Sequence, residues 1–421
     1  MTPPPERRDR RPRGSSLRLF PLVVLLAAHG LSLIGNAITI IVVPLYVLDL
    51  TGSVSATGVA GAFATVPIII GGVLGGVMVD RLGFRAAAVI SDLASGVTVL
   101  AIPLLAHSFG MPFGLLLLLV FLSGLLDTPG RTAKESLLPD LANEAGIALT
   151  RAAASSAAIS RSASLLGAAG ASVLLVAIGA LNSLIVDSLT FVVSAVLIGL
   201  VLPRSVTSTP PHVALPRRVS FREQLKEGVS YIVNTPLVRN IVILVVVTNL
   251  IDAAGFLVLF PVYGRGVTPD GSFLGLIMGC FAAGAVVGAL LFARWGHRLP
   301  RRALLVGGFA IAGPVPYIAM LVDLSPQAFL VAMLCAGLAA GSLNPLLSAA
   351  LYSLVPRAIR ARVLGALTTG VTVGMPVGSL LAGVTVEAWG LLPVLVGAVV
   401  IYCAAALSPL VGKSWVLLKE A

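Results

Sequence analysis

A carboxyl group inside a long apolar stretch is the first feature of this sequence with chemistry in it. Asp252 lies about twelve residues into such a stretch, roughly 18 Å from its start at the helical rise of 1.5 Å per residue. That depth is near the midplane of a bilayer, where an ionisable group is costly and so a candidate for function. The second half of the chain offers no Lys or Arg at similar depth. An unpaired carboxyl there can lower its cost by taking up a proton, which is what a proton-coupled carrier needs. A protonated Asp bonded to a backbone carbonyl is the competing reading. Asn249, three residues earlier, shares its face. In the first apolar block His29 and Asn36, seven residues apart, also share a face, and a histidine can handle protons or simply pack as a neutral ring. Asp92 and Arg161 are expected to pair with each other or with Asp127, and Asp187 to be hydrated near the far end of its block. The chain has no His-Glu-x-x-His, no Gly-x-Ser-x-Gly, no paired metal-ligand cluster and no Gly-x-x-x-x-Gly-Lys-Ser/Thr. An enzyme, a metal, a cofactor and nucleotide-driven coupling are therefore not expected.

These residues need elements that carry them to membrane depth. Of the 421 residues 57% are hydrophobic and only 11% charged, too little charge to wet the surface of soluble domains. The apolar residues come in blocks of membrane-spanning length, which lipid permits only as helices. The blocks predict helices 1 to 6 at 19–48, 55–79, 86–106, 112–130, 147–178 and 182–202, and helices 7 to 12 at 238–263, 272–293, 303–322, 327–352, 363–386 and 391–411. The expected organisation is a basic tail (1–18), a six-helix bundle (19–202), a linker (203–237), a second six-helix bundle (238–411) and a short tail (412–421). Within the linker, Phe221, Leu225, Val229 and Ile232 stand at helical spacing, the pattern of an amphipathic helix from Ser220 to Val233.

The net charge of +11 points to nucleic acid only until its distribution is read. Arg7, Arg8, Arg10, Arg11, Arg13 and Arg18 precede the first block directly, and no soluble domain follows to use them. Every Lys, Lys134 included, and every Arg except Arg151, Arg161 and Arg265 falls in segments on the side of that tail. Such asymmetry predicts a multi-pass cell-membrane protein with both termini cytoplasmic. The run from Leu19 to Leu48 is too long for a signal peptide.

The two halves repeat. Pro44-Leu45-Tyr46 returns as Pro261-Val262-Tyr263, Arg81-Leu82-Gly83-Phe84-Arg85 as Arg294-Trp295-Gly296-His297-Arg298, and Ser136-Leu137-Leu138-Pro139 as Ser353-Leu354-Val355-Pro356. Each copy sits at the same place in its half, the mark of a parallel repeat with its substrate site between the halves. In this register Asp127 corresponds to Asn344. The segment from Gly76 through Asp80, Arg81 and Gly83 to Arg85 resembles the signature loop of the major facilitator superfamily. Together with Pro44-Leu45-Tyr46 and Asp127-Thr128-Pro129-Gly130-Arg131, it resembles that family's efflux branch of siderophore, macrolide and multidrug exporters.

The resemblance implies an all-α membrane fold of twelve helices in two six-helix parallel repeats, with helices 1, 4, 7 and 10 lining the pathway. It places Asn36, Asn249 and Asn344 as substrate-cavity candidates facing that pathway, while Asp252, Asp92 and His29 are proton-coupling candidates as ionisable groups inside apolar blocks. Gly76, Asp80, Arg81, Gly83 and Arg85 become a gating loop in which Asp80 latches the halves, with Asp127 as the acid of helix 4. Three departures stand out: Phe84 replaces the first of the paired basic residues, Ala293 replaces the aspartate in the second copy, and helix 5 reads Gly167-Ala168-Ala169-Gly170 without the usual proline. The implied function is proton-driven export of a small hydrophobic or amphipathic compound by a monomer. Nutrient uptake or facilitated diffusion is the alternative, and a membrane-embedded enzyme a more distant one.

Overall fold

The computed structural model describes residues 15–202, 221–298, 300–356, 359–411 and 415. Among these are eleven helices long and apolar enough to cross a membrane, one of them the 53-residue Leu149–Val201. At 1.5 Å per residue that helix would run about 80 Å, more than twice the hydrocarbon thickness, so it cannot cross once. Gly179 breaks it: its backbone stands at φ 78° and ψ 170°, open to glycine and strained for other residues. The result is helix 5 (149–178) and helix 6 (180–201), which makes twelve crossings.

The other crossings are helix 1 (Ser15–Thr51), helix 2 (Val54–Leu82), helix 3 (Phe84–Phe109) and helix 4 (Phe113–Glu144) in the first half. In the second half they are helix 7 (Pro236–Val267), helix 8 (Ser272–Trp295), helix 9 (Arg301–Leu321), helix 10 (Pro326–Leu354), helix 11 (Arg360–Trp389) and helix 12 (Leu391–Val411). Helix 7 changes to a π turn over Gly255–Leu259, three residues after Asp252. Such turns free a carbonyl and often mark functional sites. The amphipathic linker helix is Phe221–Asn234. It lies against helix 11 and the end of helix 10, where Tyr231 donates from its hydroxyl to the Leu354 carbonyl at 3.0 Å and Glu227 pairs with Arg362.

Lipid gives helices little hydrophobic reason to associate, so close packing of small residues must do it. Helices 8 and 10 do this reciprocally. Gly284 and Gly288 face the backbone of Leu334 and Leu338, while Gly337 and Gly341 face the Phe281 and Ala285 carbonyls. A Cβ at any of the four would run into backbone.

The halves meet at the face away from the linker, termed the distal face; the opposite one is the linker face. Helix 2 crosses helix 11 where a Cβ on Gly383 would stand 3.0 Å from the Gly58 Cα. Helix 5 meets helix 8 through Ser172, whose hydroxyl donates to the Ser272 carbonyl at 2.7 Å. Helix 7 touches helices 1 and 2 through its distal portion, residues 255–267, whereas Pro236–Ala254 packs on helices 11 and 12. The structure is thus drawn together at the distal face.

The reciprocal glycine packing makes a measurable difference. Gly288→Leu should destabilise the detergent-solubilised protein by about 1–3 kcal/mol through overpacking. Gly279→Ala, on the same helix with nothing within 4 Å of its Cβ position, should leave thermal unfolding unchanged.

Candidate functional site

One stripe of helix 1 organises the polar interior of the first half. His29, Ser32, Asn36 and Thr39 stand three or four residues apart and so lie on one face. Each meets a different depth of the bundle. Ser32 Oγ accepts from Lys134 Nζ at 2.6 Å. The same ammonium pairs with Asp92 at 2.7 Å, both side chains being almost fully sealed, and reaches Ser194 Oγ at 3.3 Å. Ser194 in turn donates to the other Asp92 oxygen at 2.6 Å. All three Lys134 N–H groups therefore have acceptors, the condition for a tolerable buried ion pair.

This corrects two expectations. Lys134 is not a loop residue, and Asp92 pairs with it and with neither Arg161 nor Asp127. The reason is that helix 4 does not stop at the Pro-Gly step after Asp127. It runs through Pro129 and Pro139 to Glu144, which turns Lys134 into the bundle. His29 is buried beside Lys134 on a small cavity of about 10 Å³ shared with Glu135 and Ser156.

Deeper along the stripe, Asn36 Nδ2 donates to Asp127 Oδ2 at 3.1 Å, so a cavity candidate and a gating candidate form one pair. Thr39 donates to Asp187, and Asp187 is completely buried instead of hydrated. Gly35 makes room for it, since a Cβ there would collide with the Asp187 carboxyl and Thr190. The second carboxyl oxygen of Asp187 meets no donor among the described residues.

In the second half Asp252 faces a pocket inside its own bundle, walled by Phe256, Phe260, Phe281, Tyr317 and Met333, and not one shared with the first half. The Tyr402 hydroxyl donates to its Oδ2 at 3.4 Å, and Tyr317 donates to the neighbouring Ile251 carbonyl at 2.8 Å. The phenol of helix 12 gives the carboxyl a polar partner within the bundle, while that of helix 9 holds the backbone beside it. Asn249 folds its amide back onto the Val245 carbonyl at 2.9 Å, and Asn344 stands exposed on helix 10. The three asparagines thus occupy separate places.

In the loop, Gly83 adopts φ 78° and caps helix 2 by donating to Val79, a conformation that favours glycine. Arg81 is exposed, while Arg85 donates to the Gly199 carbonyl near the end of helix 6, where a cation complements the helix dipole. The surroundings of Gly76 and the side chain of Asp80 lie outside the described residues, and with them the Asp80 latch.

Sequence reasoning missed Lys134 and Thr39 as partners of buried acids, and Tyr317 and Tyr402 as partners around Asp252. The signal for the first two was the polar stripe on helix 1. Nothing in the local sequence announced the tyrosines, which lie far along the chain.

The sequence model of the Major Facilitator Superfamily matches residues 25–268 and 242–419. Multidrug efflux pump Tap of Mycolicibacterium fortuitum is 29% identical over 377 residues, spanning 88% of this chain and 90% of its own length. Multidrug efflux pump Tap of Mycobacterium tuberculosis (strain ATCC 25618 / H37Rv) is 26% identical over 376 residues, 88% of each chain. Among solved structures, nucleoside transporter NupG superposes with a TM-score of 0.72 at 12% identity, over 96% of this chain and 97% of its own. A POT family transporter in complex with 5-aminolevulinic acid gives a TM-score of 0.66 at 15% identity, over 93% and 95%. At such identities these two show the fold alone.

The buried pair can be tested by removing one partner or both. Lys134→Ala should cost about 3–5 kcal/mol of stability, because it strands Asp92 without its cation. Asp92→Asn with Lys134→Met should recover most of that loss in thermal unfolding. Proton-driven transport retained by the double variant would remove Asp92 from the proton path.

Proposed function

We propose that this chain, which belongs to the Major Facilitator Superfamily, exports small hydrophobic or amphipathic compounds, drugs among them, across the cell membrane in exchange for protons. The observation that carries this reading is the similarity to proteins named multidrug efflux pumps over 88% of the chain, which takes in both bundles and the linker. The fold alone does not choose a cargo, since its structural neighbours carry chemically different solutes. In this reading the linker face is cytoplasmic, the chain works as a monomer, and the bundles of residues 19–202 and 238–411 rock about the site between them.

In this reading the halves divide the labour. Asp92 is held by Lys134 in an internal ion pair and serves to hold helices together. Asp252 has a phenol partner and a close aromatic wall, with no cation paired with it among the described residues. A carboxylate there accepts from Tyr402; once protonated it needs an acceptor of its own, so proton uptake must rearrange its contacts. The adjoining π turn and the Tyr317 bond to the Ile251 carbonyl tie that rearrangement to the course of helix 7. Its distal part is the portion that touches the first half. Asn36 with Asp127, and Asn249 and Asn344, supply polar contacts for cargo along an otherwise apolar path.

Transport into everted vesicles tests the assignment. At matched expression Asp252→Asn should abolish accumulation driven by an imposed proton gradient while retaining cargo binding. Asn249→Ala should change apparent affinity more than proton dependence. If Asp252→Asn still concentrates cargo when the gradient is applied, the proton site is another group.

A further inference from the structure

At the distal face a carboxylate from one half completes the start of a helix in the other. Helix 2 opens with Ser53 as its N-cap, and the Ser53 hydroxyl oxygen accepts from the Ala56 N–H at 3.1 Å. Glu387, in the last turn of helix 11, accepts from the Ser53 hydroxyl and from the Ser55 N–H, both at 2.7 Å and both with Oε2. The Ser55 amide is one of the first-turn donors that a helix cannot satisfy from within itself. The positive end of the helix dipole at that point favours an anion.

On its own helix Glu387 is misplaced. It stands next to the C-terminus of helix 11, where the dipole is unfavourable to a negative charge. The position makes sense only through the helix 2 start opposite. The same corner holds a close backbone approach between these helices, at Gly58 and Gly383. Arg265 of helix 7 and Asp49 of helix 1 form an ion pair between the halves at this face, 2.6 Å apart. At the linker face the polarity is reversed: helix 2 ends there, with Asp80 in its last turn, and helix 11 begins there at Arg360.

We propose that Glu387 is the positioning residue of the distal gate, holding the two halves together on that face by capping helix 2, and letting go once per transport cycle. The inference rests on the rocking of the two bundles described above. Glu387 is exposed, so water replaces its two bonds readily when the helices part. A strong, buried link would lock the gate. An exposed link biases it, by roughly twofold to fivefold in the ratio of open to closed states.

The test is a distance measurement on the full-length protein in lipid nanodiscs, with Cys280, Cys335 and Cys403 changed to serine. Spin labels at Leu50 and Trp389, exposed positions at the distal ends of helices 1 and 11, report the separation of the halves. Glu387→Ala should raise the long-distance fraction by the stated factor. Glu387→Gln, which keeps an acceptor oxygen without the charge, should fall between that variant and the native protein. Transport by Glu387→Ala should change in kcat with KM preserved. An unchanged distance distribution in both variants overturns the proposal, and so does a lowered melting temperature with unchanged distances, which would leave Glu387 a helix cap and nothing more. The distance readout needs neither cargo nor a proton gradient, so its failure is distinguishable from failure of the export reading.

Discussion

An ammonium group sealed inside a membrane bundle has to find an acceptor for each of its three N–H bonds, and Lys134 finds them on three other helices. Ser32 lies on helix 1, Asp92 on helix 3 and Ser194 on helix 6, with Lys134 itself on helix 4. Four of the six helices of the first half are thereby tied at one point. Without water to compete, none can slide or rotate without stranding a charge. This fixes the face that helix 1 turns inward, and with it the positions of Asn36 against Asp127 and Thr39 against Asp187.

The second half, related to the first by sequence, has a different interior. Its helices approach through glycines at 284, 288, 337 and 341 and through a cluster of rings, among them Phe256, Phe260, Tyr263, Phe273 and Phe329. Asp252 sits at the edge of that cluster with a phenol for a partner. Packing of this kind constrains shape but not charge. The first bundle is pinned by a polar network built on an ion pair, whereas the buried carboxyl of the second meets a phenol. That contrast suits a carrier in which one half is the more rigid frame.

Much of this architecture was legible because lipid leaves the chain so few choices. Apolar blocks of spanning length gave the crossings, and the spacing of Val229 and Ile232 gave the linker helix. The polar interior was less legible, for identifiable reasons. Pro129 and Gly130 read as a stop that leaves Lys134 beyond the helix, yet the helix continues through them. Asp187 read as peripheral because its distance from a block edge was counted along the chain, while its burial depends on the empty side of Gly35 on another helix. Counting residues along a block gives Asp252 a depth, but depth says nothing of which way a side chain turns. In the bundle its carboxyl meets Tyr402, 150 residues away.

The break at Gly179 has a practical consequence for anyone altering this protein. A single residue joins helices 5 and 6, and a chain gains at most about 3.6 Å per residue. The two helix ends therefore stay neighbours however the bundle moves, and the junction has no slack to absorb an insertion. An epitope, a protease site or a fused reporter placed there would have to unwind one helix or the other. The distal turn around Thr268, Pro269 and Asp270, between helices 7 and 8, gives an insert several residues of non-helical backbone and an exposed tip. It is the better address for a reporter on that side of the membrane.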